Sequence, residues 1–146
     1  MLDKKEFERW LKQATYTLES AKRDREARDY AWACFKAEQR DQFALKALLR
    51  GLGRPAFGHS TSSLVEKVQE LGIPVPQEIV KSAREVKRHY IPSRYPDSYP
   101  TGVPLEYYRD EDAEEAISCA NRGIRGKGLG RCPKHLRSER PKGRSV

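Results

Sequence analysis

Cysteine is scarce, with three in 146 residues. Cys34, Cys119 and Cys132 are an odd number at wide spacing, which excludes a disulfide framework. Cys34 and Cys119 fall among apolar residues of helical period and are expected to be buried free thiols. No stretch approaches the roughly 18 apolar residues that a membrane span needs. The opening Met1-Leu2-Asp3-Lys4-Lys5-Glu6 lacks the apolar core of a signal peptide. The chain is therefore expected in the cytoplasm, with no membrane partner. No segment alternates apolar and polar residues, and no segment repeats, which argues against a sheet or a solenoid. Paired metal ligands are lacking too. Cys132-Pro133-Lys134-His135 supplies two candidates without a second pair, so no metal is expected.

Charge is present, and unevenly. The net charge is +8. Residues 127–146 hold seven bases, among them Lys127, Arg131, Lys134, Arg137 and Arg140, against one acid, Glu139, for a net +6. Residues 1–126 hold 22 bases and 20 acids, a net +2. The expected organisation is one helical domain over 1–126 and a basic tail over 127–146. Any attraction to RNA or DNA through phosphate neutralisation belongs to that tail. A disordered, solubilising extension has the same composition.

The apolar residues have helical spacing. Phe7, Trp10, Leu11, Ala14, Leu18 and Ala21 form one stripe and predict a helix over 3–27. Ala31, Cys34, Phe35, Leu45, Leu49 and Leu52 predict a second over 29–52, with Asp29 as its cap. Ser60, Thr61 or Ser62 can cap a short helix over 62–71. Pro76 opens a fourth, whose stripe is Ile79, Val80, Ala83, Val86 and Tyr90. Residues 91–109 carry Pro92, Pro96, Pro100 and Pro104 and read as a long loop, either functional or packed by its own side chains. Asp110 is expected to cap a last helix over 110–124. The fold predicted is an all-α, antiparallel, up-and-down bundle of four to five helices.

Four segments then resemble a known family. Ala33-Cys34-Phe35-Lys36-Ala37-Glu38-Gln39-Arg40-Asp41-Gln42-Phe43-Ala44-Leu45-Lys46-Ala47-Leu48-Leu49 is similar to the second-helix signature of HEPN domains (higher eukaryotes and prokaryotes nucleotide-binding). Gly58-His59-Ser60 looks like the turn that follows it. Tyr90-Ile91-Pro92-Ser93-Arg94-Tyr95-Pro96-Asp97 looks like the family's Tyr…Arg-Tyr-Pro-Asp loop. Asp112-Ala113-Glu114, with Ala116 and Ala120, is similar to its last helix. The resemblance runs over residues 7–125. It implies nucleotide binding, with ATP or another nucleotide as ligand. It also implies a minimal nucleotidyltransferase as partner, as in toxin–antitoxin pairs.

Each candidate site residue has two readings. Glu38, Gln42 and Lys46 recur at i, i+4 and i+8 and interrupt the apolar stripe, which is costly unless they are paired. They form either a polar cleft for a nucleotide or RNA, or a seam that fixes register. His59 either faces helix two as part of that site or is a structural turn residue. Arg94 can hold a phosphate bidentately and Tyr95 can stack on a base, with Asp97 beside them. Alternatively Arg94 pairs with a carboxylate, Glu38 being a candidate, and Tyr95 plugs the core.

Many members of the resembled family are metal-independent ribonucleases with an Arg, four to six residues, and a His. Arg54…His59 and Arg84…His89 both fit. His89 would be the general base and Arg84 the transition-state stabiliser. On a continuous helix those two would point about 140° apart. A homodimer is also expected, because helix two has small or apolar residues on more than one face.

Overall fold

The computed structural model describes residues 3–75 and 77–122. Pro76, Ile124, Cys132, His135 and the tail bases Lys127, Arg131, Lys134, Arg137 and Arg140 lie outside the described residues. The described chain is all-helical: α1 (Lys4–Glu26), α2 (Tyr30–Gly51), α3 (Thr61–Glu70), α4 (Gln77–Lys87) and α5 (Asp110–Arg122), with short 3₁₀ turns at Pro96–Ser98 and Pro104–Glu106.

Side-chain caps start two of the helices. The Asp3 carboxylate accepts from the Glu6 N–H at the head of α1 (3.1 Å). The Ser60 hydroxyl accepts from the Ser63 N–H at the head of α3 (3.4 Å). Such a cap contributes about 1 kcal/mol. Two expected caps differ. Asp29 occupies the cap position of α2 but its side chain makes no capping bond. Asp110 is the first residue of α5, and its carboxylate pairs with Arg25 (2.8 Å). The cap of α5 falls instead on Arg109, whose N–H is accepted by Asp112 reaching back (2.9 Å). Acids in that first turn are favoured by the helix dipole.

α2 packs against α1, α3, α4 and α5. Its apolar residues divide into two clusters. Ala44, Leu45, Leu48 and Leu49 join Ala14 of α1, Leu64 and Val68 of α3, and Ile79 and Ala83 of α4. Ala33, Cys34 and Ala37 join Leu18 and Ala21 of α1 and Ala113, Ala116, Ile117 and Ala120 of α5. Between the clusters lies a polar waist of Glu38, Arg40, Asp41 and Gln42, all buried. Arg40 ion-pairs with Asp41 (3.0 Å) and donates to the carbonyl of Ala120 in α5 (2.5 Å). A helix with neighbours on several sides must pair its buried polar groups within the protein, and most of this waist is paired so, although Arg40 Nε has no partner among the described residues.

α4 ends at Lys87, earlier than the spacing implies, so His89 and Tyr90 stand in the turns that follow it. α3 is tied to α4 where Thr61 Oγ1 donates to the Ala83 carbonyl (2.7 Å). The 91–109 loop is braced by its own side chains. Tyr99 donates to the Pro92 carbonyl (2.9 Å) and Tyr107 to that of Thr101 (2.6 Å). The Tyr99 and Tyr107 rings stack at 4.1 Å. Gly102 has φ +76, and a Cβ there would come within 2.1 Å of Glu106 Oε2.

Candidate functional site

The site grows from the turn after α4. The Arg94 N–H donates to the Ile91 carbonyl (3.0 Å), and Arg94 Nε donates to that of Tyr90 (2.9 Å). This folds the guanidinium back over three rings. Its carbon lies 4.4 Å from the Phe35 centroid, 4.6 Å from Tyr90 and 4.9 Å from Tyr95. Guanidinium–ring contacts of this kind contribute roughly 0.5–2 kcal/mol each. Neither Nη group bonds to a described residue, so the fork remains available for an anion. The rings continue outward. Trp32 meets Phe35 edge-on at 5.9 Å, and His59 stacks on Tyr90 at 6.1 Å with planes 9° apart.

The polar row of α2 supports this cluster from below. Glu38 Oε1 accepts from Gln42 (2.6 Å) and Oε2 from Gln39 (2.9 Å). Gln42 Nε2 also donates to the His59 carbonyl (2.8 Å), which fixes the turn that carries the imidazole. Burial lifts the Glu38 carboxyl from 4.5 to about 7, against the opposing pull of its two amide donors and of the Arg94 charge. Lys46 is half-buried, and desolvation lowers its pKa. Within the row, Gln42 fixes a turn and Glu38 lies within electrostatic reach of Arg94.

Two expectations are corrected. Arg94 forms no ion pair with Glu38; its partners are the rings. Tyr95 is 47% exposed and does not plug the core. Asp97 is exposed on the first 3₁₀ turn. Arg94 also borders a groove of about 260 Å³ with Arg28, Trp32, Val103, Pro104 and Leu105.

Arg84 and His89 are not brought together within the chain. Arg84 is exposed and lines a groove with Ser62, Glu66 and Gln69 of α3. His89 is buried and lines a different pocket, of about 350 Å³, with Arg88, Tyr99, Tyr107, Tyr108 and Asp112. Its Nδ1 meets the Tyr108 hydroxyl at 3.0 Å, and burial depresses its pKa to about 4. Arg54, of the other pair, is exposed, as is His59. Among the described residues, no three His, Cys, Asp or Glu side chains gather as metal ligands, and no helix is long and apolar enough to cross a membrane.

Sequence reading missed the aromatic walls. Phe35 and Tyr90 read as core positions, and Trp32 carried no signal. Their convergence on Arg94 depends on α2 meeting a turn more than fifty residues later in the chain.

Comparison with known proteins agrees with the all-helical fold. The model of the HEPN domain matches residues 7–125. The structure of TT1696 from Thermus thermophilus is similar, with TM-score 0.75 and 39% identity over 78% of this chain and 89% of that one. ST0689, an archaeal HEPN homologue, gives 0.68 and 39% over 81% and 91%. An HEPN domain protein from Thermotoga maritima gives 0.61 and 27% over 89% and 98%. No curated protein matches the chain. With a family model spanning most of its length and two solved relatives at 39% identity, the chain belongs to the HEPN domain family.

Proposed function

We propose that the chain is a nucleotide-binding module that acts beside a minimal nucleotidyltransferase in a toxin–antitoxin-like pair, in the cytoplasm and as a homodimer. The observation that carries the binding reading is Arg94. Its guanidinium is held by rings and its own turn, which leaves both Nη groups to grip a phosphate. Arg28 borders the same groove and adds a second positive charge. Trp32, half exposed, offers a face on which a base can stack. ATP or a similar nucleotide would place phosphate between the arginines and base against Trp32. The site residues are then Arg94, Tyr95 and His59, with Asp97 at the rim and Glu38, Gln42 and Lys46 as the polar support. Saturable quenching of tryptophan emission by ATP, lost in Trp32→Phe, is the expected result. Emission unchanged by millimolar ATP would count against it.

A metal-independent ribonuclease is the second reading, favoured by one observation. His89 borders an open pocket and its low pKa keeps it a neutral base at ordinary pH. Arg84 cannot reach it within one chain, so a second copy would have to supply the arginine. RNA incubated with wild type, His89→Ala and His59→Ala decides: cleavage abolished by His89→Ala supports the reading, and cleavage indifferent to both changes ends it. The bases Lys127, Arg131, Lys134, Arg137 and Arg140 could hold RNA under either reading; binding by them would weaken steeply with salt.

A further inference from the structure

The pocket around His89 is separate from the Arg94 groove and shares no lining residue with it. Its volume, about 350 Å³, falls within the range of small-molecule sites. One wall is aromatic: Tyr99 and Tyr107 stack with planes 12° apart, and Tyr107 is 42% exposed. Its rim carries opposite charges that do not pair with each other. Arg88 has only a loose contact with Glu85 (3.7 Å), both side chains being about half exposed. Asp112 uses Oδ2 for the Arg109 N–H, and its Oδ1 bonds to no described residue. The floor is the imidazole of His89, tied through Nδ1 to Tyr108.

We propose that this pocket binds a guanine-type nucleobase, stacked on Tyr107 and read at its two edges by Arg88 and Asp112. The chemistry selects guanine among planar ligands. Its N1–H and N2–H donors suit a carboxylate, and its O6 and N7 acceptors suit a guanidinium. Adenine turns a lone pair on N1 toward the carboxylate, and at the arginine's edge it keeps N7 but replaces the O6 acceptor with an N6 donor. A stacked base gains from Tyr107 whatever its identity, so the discrimination comes from the rim.

The test uses the full chain and nucleosides, which lack the phosphate the Arg94 site requires. Saturation-transfer NMR is run with guanosine and with adenosine on wild type, Asp112→Asn, Arg88→Gln, Tyr107→Ala and Arg94→Ala. Guanosine is expected to bind about tenfold or more tightly than adenosine. Asp112→Asn, which keeps an acceptor for the Arg109 N–H, and Arg88→Gln should each erase most of that preference. Tyr107→Ala should weaken both nucleosides. Arg94→Ala should leave the preference intact, whatever becomes of ATP binding. No guanosine signal at millimolar concentration, equal binding of the two nucleosides, or a preference untouched by Arg88→Gln would overturn the proposal. Arg88 is exposed, so its variant keeps the test decisive even if Asp112→Asn fails to fold.

Discussion

Arg40 and Asp41 sit side by side at the waist of α2 with side chains 7% and 3% exposed. Removing one partner strands a charge. Arg40→Ala is expected to cost about 3–5 kcal/mol in urea unfolding, whereas the double change Arg40→Met, Asp41→Leu should recover most of it. A single-variant cost below about 1 kcal/mol would contradict this. Glu38 makes a pH-dependent contribution. Its folded pKa of about 7 exceeds the ordinary 4.5, so the folded chain binds this proton more tightly than the unfolded one. The stability it adds is complete below pH 4.5 and disappears as pH rises through about 7. Glu38→Gln abolishes that slope and should gain on the wild type across the window, by on the order of 3 kcal/mol. His89 slopes the other way, since its depressed pKa adds stability above 6.5 that is lost toward about 4. Comparing wild type with Glu38→Gln cancels it; parallel pH profiles for the two would contradict the assignment. The polar row was legible from its spacing. The bond that ties it to the rest of the fold was not, because Gln42 donates to a carbonyl 17 positions away, at His59.

Among the elements, α2 was the most legible, since its period survives the polar interruptions. Its division into two apolar clusters was not, because that depends on which helices lie at each end. Leu45, fully buried in the larger cluster, anchors it. Leu45→Ala should cost about 2–5 kcal/mol, read as an earlier denaturant midpoint with unchanged slope. The end of α4 was hidden, because nothing in Arg88-His89-Tyr90 breaks a helix before Pro92. The loop of 91–109 was marked by its prolines and tyrosines, but its bracing was not. Gly102→Ala tests that bracing: with φ +76 and Glu106 in the way, it should destabilise the chain by about 1 kcal/mol or more and weaken guanosine binding. Unchanged stability and binding would show that the loop tolerates a Cβ there.

At the scale of the whole molecule, the expectation of a dimer rested on helix two, most of which the bundle itself covers. One bundle covers the small and apolar residues of α2 from Ala31 to Leu49, apart from the half-exposed Trp32 and partly buried neighbours such as Phe43. The apolar surface left open includes Trp32 (50% exposed) on that helix and, away from it, Phe57 (70%) and Leu105 (74%). A second copy packed over Phe57 and Leu105 would take that apolar area out of water. Light scattering should give twice the 16.8 kDa chain mass, reduced to the single mass by Leu105→Glu with Phe57→Glu. The single mass for wild type would contradict it.

The Arg94 fork, held by rings and free of a carboxylate, carries the nucleotide-binding account. Calorimetric titration of ATP into the full chain and into Arg94→Ala tests it most directly. The account predicts saturable heat for wild type and binding weakened about tenfold or more without the guanidinium. Absence of heat at millimolar ATP, or an isotherm that Arg94→Ala leaves unchanged, would contradict it.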